Sequence, residues 1–306
     1  MTNKQLAWPR EHIDLDAATQ WVTSACRCDV DAPEILQVKR WGVTARFGNV
    51  VLKASFTPLF PQVTEIHALL EQLEPQGGPK LLHSERVDNQ LWTLFEHLQG
   101  STAEEAGTAQ ALEAAARELA RVQTAVEELD LTGIPALDVR RVPSRLLEDG
   151  LSDQPPEWVR WLKDAQPALQ DDADALADIP ASLDHPDMNG SNAILSDDGR
   201  VVLIDWEEAT VGCPLFSIDR LLSDARELNA AEAVLSAYLE TFGNIESEQM
   251  TRAMRLVPLK LAHKFRAYAR ALGLPNPHTH LTTLLLKLAK KRRAGDPFHA
   301  RLSDLL

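Results

Sequence analysis

No apolar stretch in this chain of 306 residues approaches the roughly 20 residues that a bilayer-spanning helix needs. The longest, such as LTTLLLKLAKK, are short and interrupted by charge. The opening segment MTNKQLAWPREHIDLDAATQ also lacks the apolar core of a signal peptide, so a cytoplasmic protein without membrane association is expected. Cysteine is scarce: Cys26 and Cys28 form a C-x-C and Cys213 is remote, with no C-x-x-C or clustered histidines, so the thiols are expected to be reduced. His278 and His280 have no third ligand nearby and are expected to be ordinary loop residues. G-x-S-x-G, H-E-x-x-H, an EF-hand loop and the P-loop G-x-x-x-x-G-K-[ST] are all missing, which removes several hydrolase and nucleotide-hydrolase classes. There is no internal repeat or low-complexity tract.

What is present is an apolar content of 44%, ample for a large core, and a formal net charge of −14. The charge is uneven. From Thr251 to the end, 12 Lys and Arg face 2 acids, whereas residues 1–250 hold 19 basic and 43 acidic side chains. Basic residues such as Lys290, Lys291, Arg292 and Arg293, spaced along an amphipathic helix without interleaved aromatics, are expected to form a solvated face opposing the acidic body. No nucleic-acid partner is expected. The acidic body favours a cationic small molecule by electrostatic steering.

The pattern changes near residue 100. Before it run the strand-like segments EILQVKRW, VTARF and VVLKASF, a helical interval over 61–74, then LLHSERV and LWTLFEHL. Gly48-Asn49 marks a tight hairpin turn. After it, Ser101 and Thr102 with Glu104 and Glu105 make plausible caps, and Leu112, Ala115, Ala116, Leu119, Val122 and Val126 share one helical face. Residues 155–180 are expected to form a helical pair in which Trp158 and Trp161 pack, and the patterns from Leu215 on are expected to break at Pro258, Pro275, Pro277 and Pro297. The helical half is interrupted once, by AIL, the turn Ser196-Asp197-Asp198-Gly199, and VVLI.

If AIL and VVLI pair, Asn192 just before the first strand and Asp205 just after the second point to one end of the hairpin, with Asp187 on the loop leading in. An amide and carboxylates suit a hard cation such as Mg²⁺, which keeps several waters and is completed by substrate phosphates. A further carboxylate could take a proton from a hydroxyl. These are the parts needed for phosphoryl transfer.

The pattern H-x-D-x-x-x-x-N at His185, Asp187 and Asn192, followed by I-D-W-E from Ile204 to Glu207, resembles the catalytic region of the aminoglycoside phosphotransferase and choline kinase-like family. The resemblance implies an α+β, bilobal protein-kinase-like fold. A small lobe over 1–99, with an antiparallel sheet and one main helix, would be followed by a larger, mainly helical lobe over 100–306. It further implies Asp187 as catalytic base, Asn192 and Asp205 as Mg²⁺ ligands, His185 supporting the loop, and Asp219 in VGCPLFSIDRLL anchoring it. Lys53, at the end of the apolar run VVLK, would bind phosphate and pair with Glu65, or alternatively with Glu71, on the helix that follows. The segment LFEHLQG resembles the family's hinge, over 95–100, where backbone groups at about Glu96 and Leu98 would hold the adenine of ATP.

Two departures stand out. Only Gly42 and Gly48 lie in RWGVTARFGN, so there is no G-x-G-x-x-G, and Pro186 replaces a common glycine. Taken singly, Lys53 reads as a surface lysine, the functional reading coming from Asp187, Asn192 and Asp205 beside it; Glu65 could equally be an exposed helix glutamate, and Glu207 and Glu208 a solvated turn or ligands to metal or a cationic substrate. The expected activity is an ATP- and Mg²⁺-dependent phosphotransferase acting on a hydroxyl of a small molecule, as a monomer or homodimer; the alternative is a nucleotide-binding pseudokinase or regulatory module.

Overall fold

Asp14 starts the first helix, its carboxylate accepting the backbone N–H groups of Asp16 and Ala17. The computed structural model describes residues 13–27, 29–39, 41–56, 59–243, 245–273 and 279–306; Cys28, Pro275, Pro277 and His278 lie outside them. The described chain divides into two compact units. The first comprises Met1–Ser101 with Ile194–Glu207, so the hairpin that interrupts the helical half groups with the N-terminal strands. The second comprises Thr102–Ala193 with Glu208–Leu306.

In the first unit, helix α1 (Leu15–Cys26) precedes strands β1 (Glu34–Lys39), β2 (Gly42–Phe47), β3 (Val50–Phe56), β4 (Leu81–Val87) and β5 (Gln90–Glu96). They form one antiparallel sheet in the order β1-β2-β3-β5-β4. The β2–β3 hairpin turns at Gly48, whose φ of 61° a glycine adopts without strain. Alternation fixes the faces: Val43, Ala45, Phe47, Leu52, Ala54, Trp92 and Leu94 form a core with Ile13, Ala18 and Val22 from the first helix. Lys53 and Thr93, register partners, fall on the opposite face. On that face helix α2 (Val63–Leu70) buries Val63, Ile66, His67, Leu69 and Leu70, and His67 packs 4.6 Å from the ring of Phe95. Helix α1 was not anticipated, because few apolar residues mark it; only Ala18 and Val22 are buried.

A smaller sheet has the order β6-β8-β9, built from β6 (Gly100–Thr102), β8 (Ala193–Ser196) and β9 (Val201–Leu203). Gly100 is obligatory at this crossing, since its φ is 139° and a Cβ there would lie 2.1 Å from the Leu195 carbonyl oxygen.

The second unit is mainly helical. Thr102 and Glu105 form a capping box on the short helix α3 (Ala103–Ala106), and Thr108 caps α4 (Ala109–Ala125), whose alanine and leucine face packs on α8 (Ala231–Phe242). The other helices are α5 (Val142–Glu148), α6 (Pro156–Asp174), α7 (Asp219–Glu227), α9 (Ser247–Ala271) and α10 (Thr279–Ala294). A short antiparallel pair joins β7 (Ser182–Asp184) to β10 (Thr210–Gly212).

Residues 155–180 hold one long helix rather than a pair, because α6 runs on through Pro167, which leaves only the carbonyl of the exposed Lys163 without its N–H donor. Helix α9 likewise continues through Pro258. There the orphaned carbonyl is that of Met254, and the Arg292 guanidinium donates to it at 2.8 Å. Arg292 is thus buried, not solvated as the basic helix pattern implied, and it also donates to Ala300 O and to Asp219 Oδ1. Trp158 is covered by cations of its own chain, with the Lys287 and Lys290 ammonium groups 6.0 and 5.7 Å from its ring centroid. Among the described residues no helix is long and apolar enough to cross a membrane. Cys213 carries a free, buried thiol, and burial pushes it up to about 12.

Candidate active site

The first unit supplies a lysine and two carboxylates. Lys53 projects from the centre of β3, and its ammonium bonds Asp205 Oδ1 and Glu207 Oε1. Both acids follow β9, on either side of Trp206, whose buried indole donates to the Leu203 carbonyl at 3.0 Å. The buried indole therefore pins a short turn from which Asp205 and Glu207 reach one ammonium. Asp205 holds a φ of 67°, a left-handed conformation that aspartate tolerates better than most residues. Lys39 lies 3.8 Å from its other oxygen, and Gln62 donates to the Glu207 carbonyl at 3.3 Å.

Burial alone would weaken the basicity of Lys53, but the two carboxylates outweigh it and hold the ammonium above the ordinary lysine range. Burial raises the Glu207 carboxyl, the Asp205 charge adding to the effect and Lys53 opposing it. Of the two acids, Glu207 is thus the reluctant one.

Glu65 is not the partner expected for Lys53. It is exposed, because the buried face of α2 passes through Val63, Ile66, His67 and Leu70, and position 65 lies to the side of that face. Glu71, the alternative, is exposed as well. The α2 residue that senses Lys53 is His67, which burial and then the Lys53 charge push down to about 3. Glu96 ends β5 with its N–H donating to the Lys80 carbonyl and its carboxylate accepting the Lys80 N–H, which clips β4 to β5. Leu98 follows; among the described residues its backbone N–H and carbonyl enter no hydrogen bond.

The second unit supplies the loop that leaves β7. The buried His185 donates its backbone N–H to Ser217 Oγ at 2.8 Å, and its Nδ1 lies 3.3 Å from the Asp187 N–H. The Asp187 carbonyl oxygen accepts the side-chain amides of Asn192 at 2.8 Å and Asn189 at 3.0 Å. Gly190 donates to Asp224 Oδ2 at 2.8 Å, and a Cβ on Gly190 would press to 3.1 Å from the Glu104 nitrogen. All these bonds close with Pro186 in place. The Asp187 carboxylate meets the Arg220 guanidinium.

Beneath the loop lies a buried polar network. Asp184, at the end of β7, bonds the Lys260 ammonium and accepts the Ser217 hydroxyl at 3.1 Å. Gln123 donates to the carbonyls of Leu183 and Pro214 and to Ser217, while accepting the Tyr238 hydroxyl at 2.7 Å. Burial lowers the Lys260 ammonium from its ordinary range, with Asp184 opposing. Asp219 does not anchor the loop, since Arg292 holds it; that task falls to Asp224 and Ser217. Glu208 pairs with Lys264.

Sequence reasoning missed Asp184, Ser217, Asp224, Arg220 and Lys260 as supports. Only Lys260 leaves a signal, as one cation inside the apolar helical run LVPLKLA. Glu207 was weighed as a metal ligand or solvated turn, not as the partner of Lys53.

The oxygen donors fit Mg²⁺ better than a protein-built metal site. Among the described residues no three His, Cys, Asp or Glu side chains converge as ligands. In the second unit the Asn192 amide nitrogen is committed to the Asp187 carbonyl, which leaves its oxygen as an acceptor; in the first unit Asp205 offers a carboxylate. An amide oxygen and a carboxylate are each donors of the hard type that Mg²⁺ accepts alongside waters and phosphates.

A family model described as "Phosphotransferase enzyme family" matches residues 37–257. No curated protein sequence is significantly similar to the chain. Similar solved structures include choline kinase LicA from Streptococcus pneumoniae, 16% identical with a TM-score of 0.67 over 91% of this chain and 98% of that one. A choline/ethanolamine kinase family protein from Mesorhizobium loti is 15% identical, with a TM-score of 0.64 over 89% and 91% of the two chains. A thermostable mutant of the aminoglycoside phosphotransferase APH(4)-Ia, in a ternary complex with AMP-PNP and hygromycin B, is also 15% identical, with a TM-score of 0.64 over 91% and 99%. LicA has also been solved with AMP. The fold is thus the α+β, kinase-like one of these structures, with an antiparallel sheet and helical regions.

Proposed function

We propose, for a chain that belongs to the phosphotransferase enzyme family, the Mg²⁺-dependent transfer of the terminal phosphoryl group of ATP to a hydroxyl of a small molecule. The observation that carries this reading is the Lys53 ammonium held between Asp205 and Glu207. A half-buried lysine that stays charged is suited to phosphate, and an acid already turned to it is suited to a metal on the same phosphates. The nucleotides bound by the similar structures, AMP-PNP and AMP, support ATP as donor.

Each residue then has one task. Lys53 binds nucleotide phosphates, Asp205 and Asn192 hold the ion, and the backbone of Glu96 and Leu98 meets the adenine edge. Asp187 orients the acceptor hydroxyl and receives its proton. When bound, Mg²⁺ supplies charge that offsets the negative charge developing on the phosphates. Glu65, exposed, has no part. The acceptor class is a hydroxyl-bearing aminoglycoside or other antibiotic, amino alcohol or sugar, and the net charge of −14 favours a cationic one.

Calorimetric titration with MgATP tests the assignment. The Asp205→Ala protein is expected to bind at least tenfold more weakly than wild type; equal affinities would reject Asp205 as the metal ligand.

A further inference from the structure

The guanidinium of Arg220 lies on the very carboxylate assigned to the acceptor hydroxyl, meeting Asp187 Oδ1 through Nη1. No motif of the family reading asks for a cation there. Arg220 is the second residue of α7, and the segment around it is fixed on both sides. Asp219 before it is clamped by Arg292 at 2.8 Å, and Asp224 after it accepts the Gly190 N–H of the catalytic loop at 2.8 Å. The backbone of Arg220 is thus tied to the loop that carries Asp187. Its side chain is not sequestered, being 52% exposed against 24% for Asp187. The contact with Asp187 is an ion pair and not a formed hydrogen bond, and the Asp224 carboxylate also acts on Arg220 through its charge, so the donors of the guanidinium remain available.

A partly exposed ion pair adds little to stability, which does not account for placing a cation on the proposed base. Its position accounts for it better. A hydroxyl oxygen that gives its proton to Asp187 must lie about 3 Å from that carboxylate, and the phosphorus it attacks is bonded to that oxygen in the product. A guanidinium touching the same carboxylate is within side-chain reach of the equatorial oxygens of the group being transferred.

We propose that Arg220 is a further catalytic residue, an arginine supplied in cis that binds the phosphoryl group during transfer. The inference rests on the phosphotransferase reading above. In the step, the hydroxyl oxygen forms its bond to the terminal phosphorus and the bond from that phosphorus to the bridging oxygen breaks. The electron pair leaves with ADP, and the hydroxyl proton passes to Asp187. Arg220 stays protonated throughout and spreads its donors over the phosphoryl oxygens. In the free protein it rests on Asp187, which keeps the carboxylate oriented and the guanidinium near its point of use.

The test needs no knowledge of the acceptor. MgADP alone, and MgADP with aluminium fluoride as a mimic of the transferring group, are titrated calorimetrically into wild type, Arg220→Ala and Arg220→Lys, each checked by its melting temperature. The expected result is MgADP affinity within about threefold of wild type in both variants. The fluoride complex should be weakened about a hundredfold or more in Arg220→Ala and less in Arg220→Lys, in line with removal of a donor to developing charge. A fluoride complex as tight in Arg220→Ala as in wild type would overturn the role of Arg220 while leaving the phosphotransferase reading intact. Wild-type protein that binds neither species would overturn both.

Discussion

The Asn192 side-chain amide donates to the Asp187 carbonyl oxygen at 2.8 Å, so the residue proposed to place the hydroxyl and one proposed to hold the metal are joined within the free loop. The joint is local, spanning five residues, and the loop is held from below by Ser217 and Asp224. Preorganisation of this kind lowers the reorganisation needed when charge develops in a transition state.

Lys53→Met tests the ammonium that serves two carboxylates. Removing it leaves Asp205 and Glu207 facing each other in a half-buried setting without the ammonium they share. Urea denaturation at pH 7 is expected to show a loss of about 1–3 kcal/mol, the penalty for an unpaired buried group. The double variant Lys53→Met/Glu207→Gln should recover part of it. No recovery would mean that Glu207 is not the strained partner.

Lys260→Met probes the buried support under the catalytic loop. It leaves the Asp184 carboxylate buried without its cation, and an expected loss of about 3–5 kcal/mol follows. Lys260→Met/Asp184→Leu removes both charges and should regain most of this. A single variant within 1 kcal/mol of wild type, by the same urea measurement, would show that the pair contributes little.

His67 gives the fold a pH dependence of known sign. Burial, then the Lys53 charge, hold its pKa down at about 3 in the folded protein, against 6.5 for an ordinary histidine. Between these values the unfolded chain binds a proton that the folded one refuses, so stability falls as pH drops below about 6.5. From pH 7 to pH 5 wild type should lose about 1–2 kcal/mol more than His67→Gln in urea titrations. Identical losses would contradict a neutral, buried His67.

Much of this was legible in the sequence where the signal is local. Strand alternation and Gly48-Asn49 foretold the β2–β3 hairpin, and the spacing of Asp187 and Asn192 placed both on one short loop. The pairing of Lys53 was not legible. A helix glutamate twelve residues on is a reasonable candidate, yet the phase of α2 turns Glu65 outward, and Glu207, some 150 residues away in sequence, takes the place. The prolines misled for a similar reason. Propensity ends a helix at Pro258, but Arg292 supplies the donor that the Met254 carbonyl lacks, and tertiary structure overrides the local rule. The same contact explains why a seemingly solvated basic run contains a buried arginine, and why Asp219 is unavailable to the loop.

Phosphate transfer from labelled MgATP to a panel of hydroxyl-bearing antibiotics, amino alcohols and sugars, with wild type and Asp187→Ala side by side, tests the account most directly. The account predicts acceptor-dependent transfer by wild type and a turnover lower by about 10²–10⁴ in the variant, with unchanged folding. Equal turnover by the two proteins, or only slow hydrolysis independent of every acceptor, would contradict it.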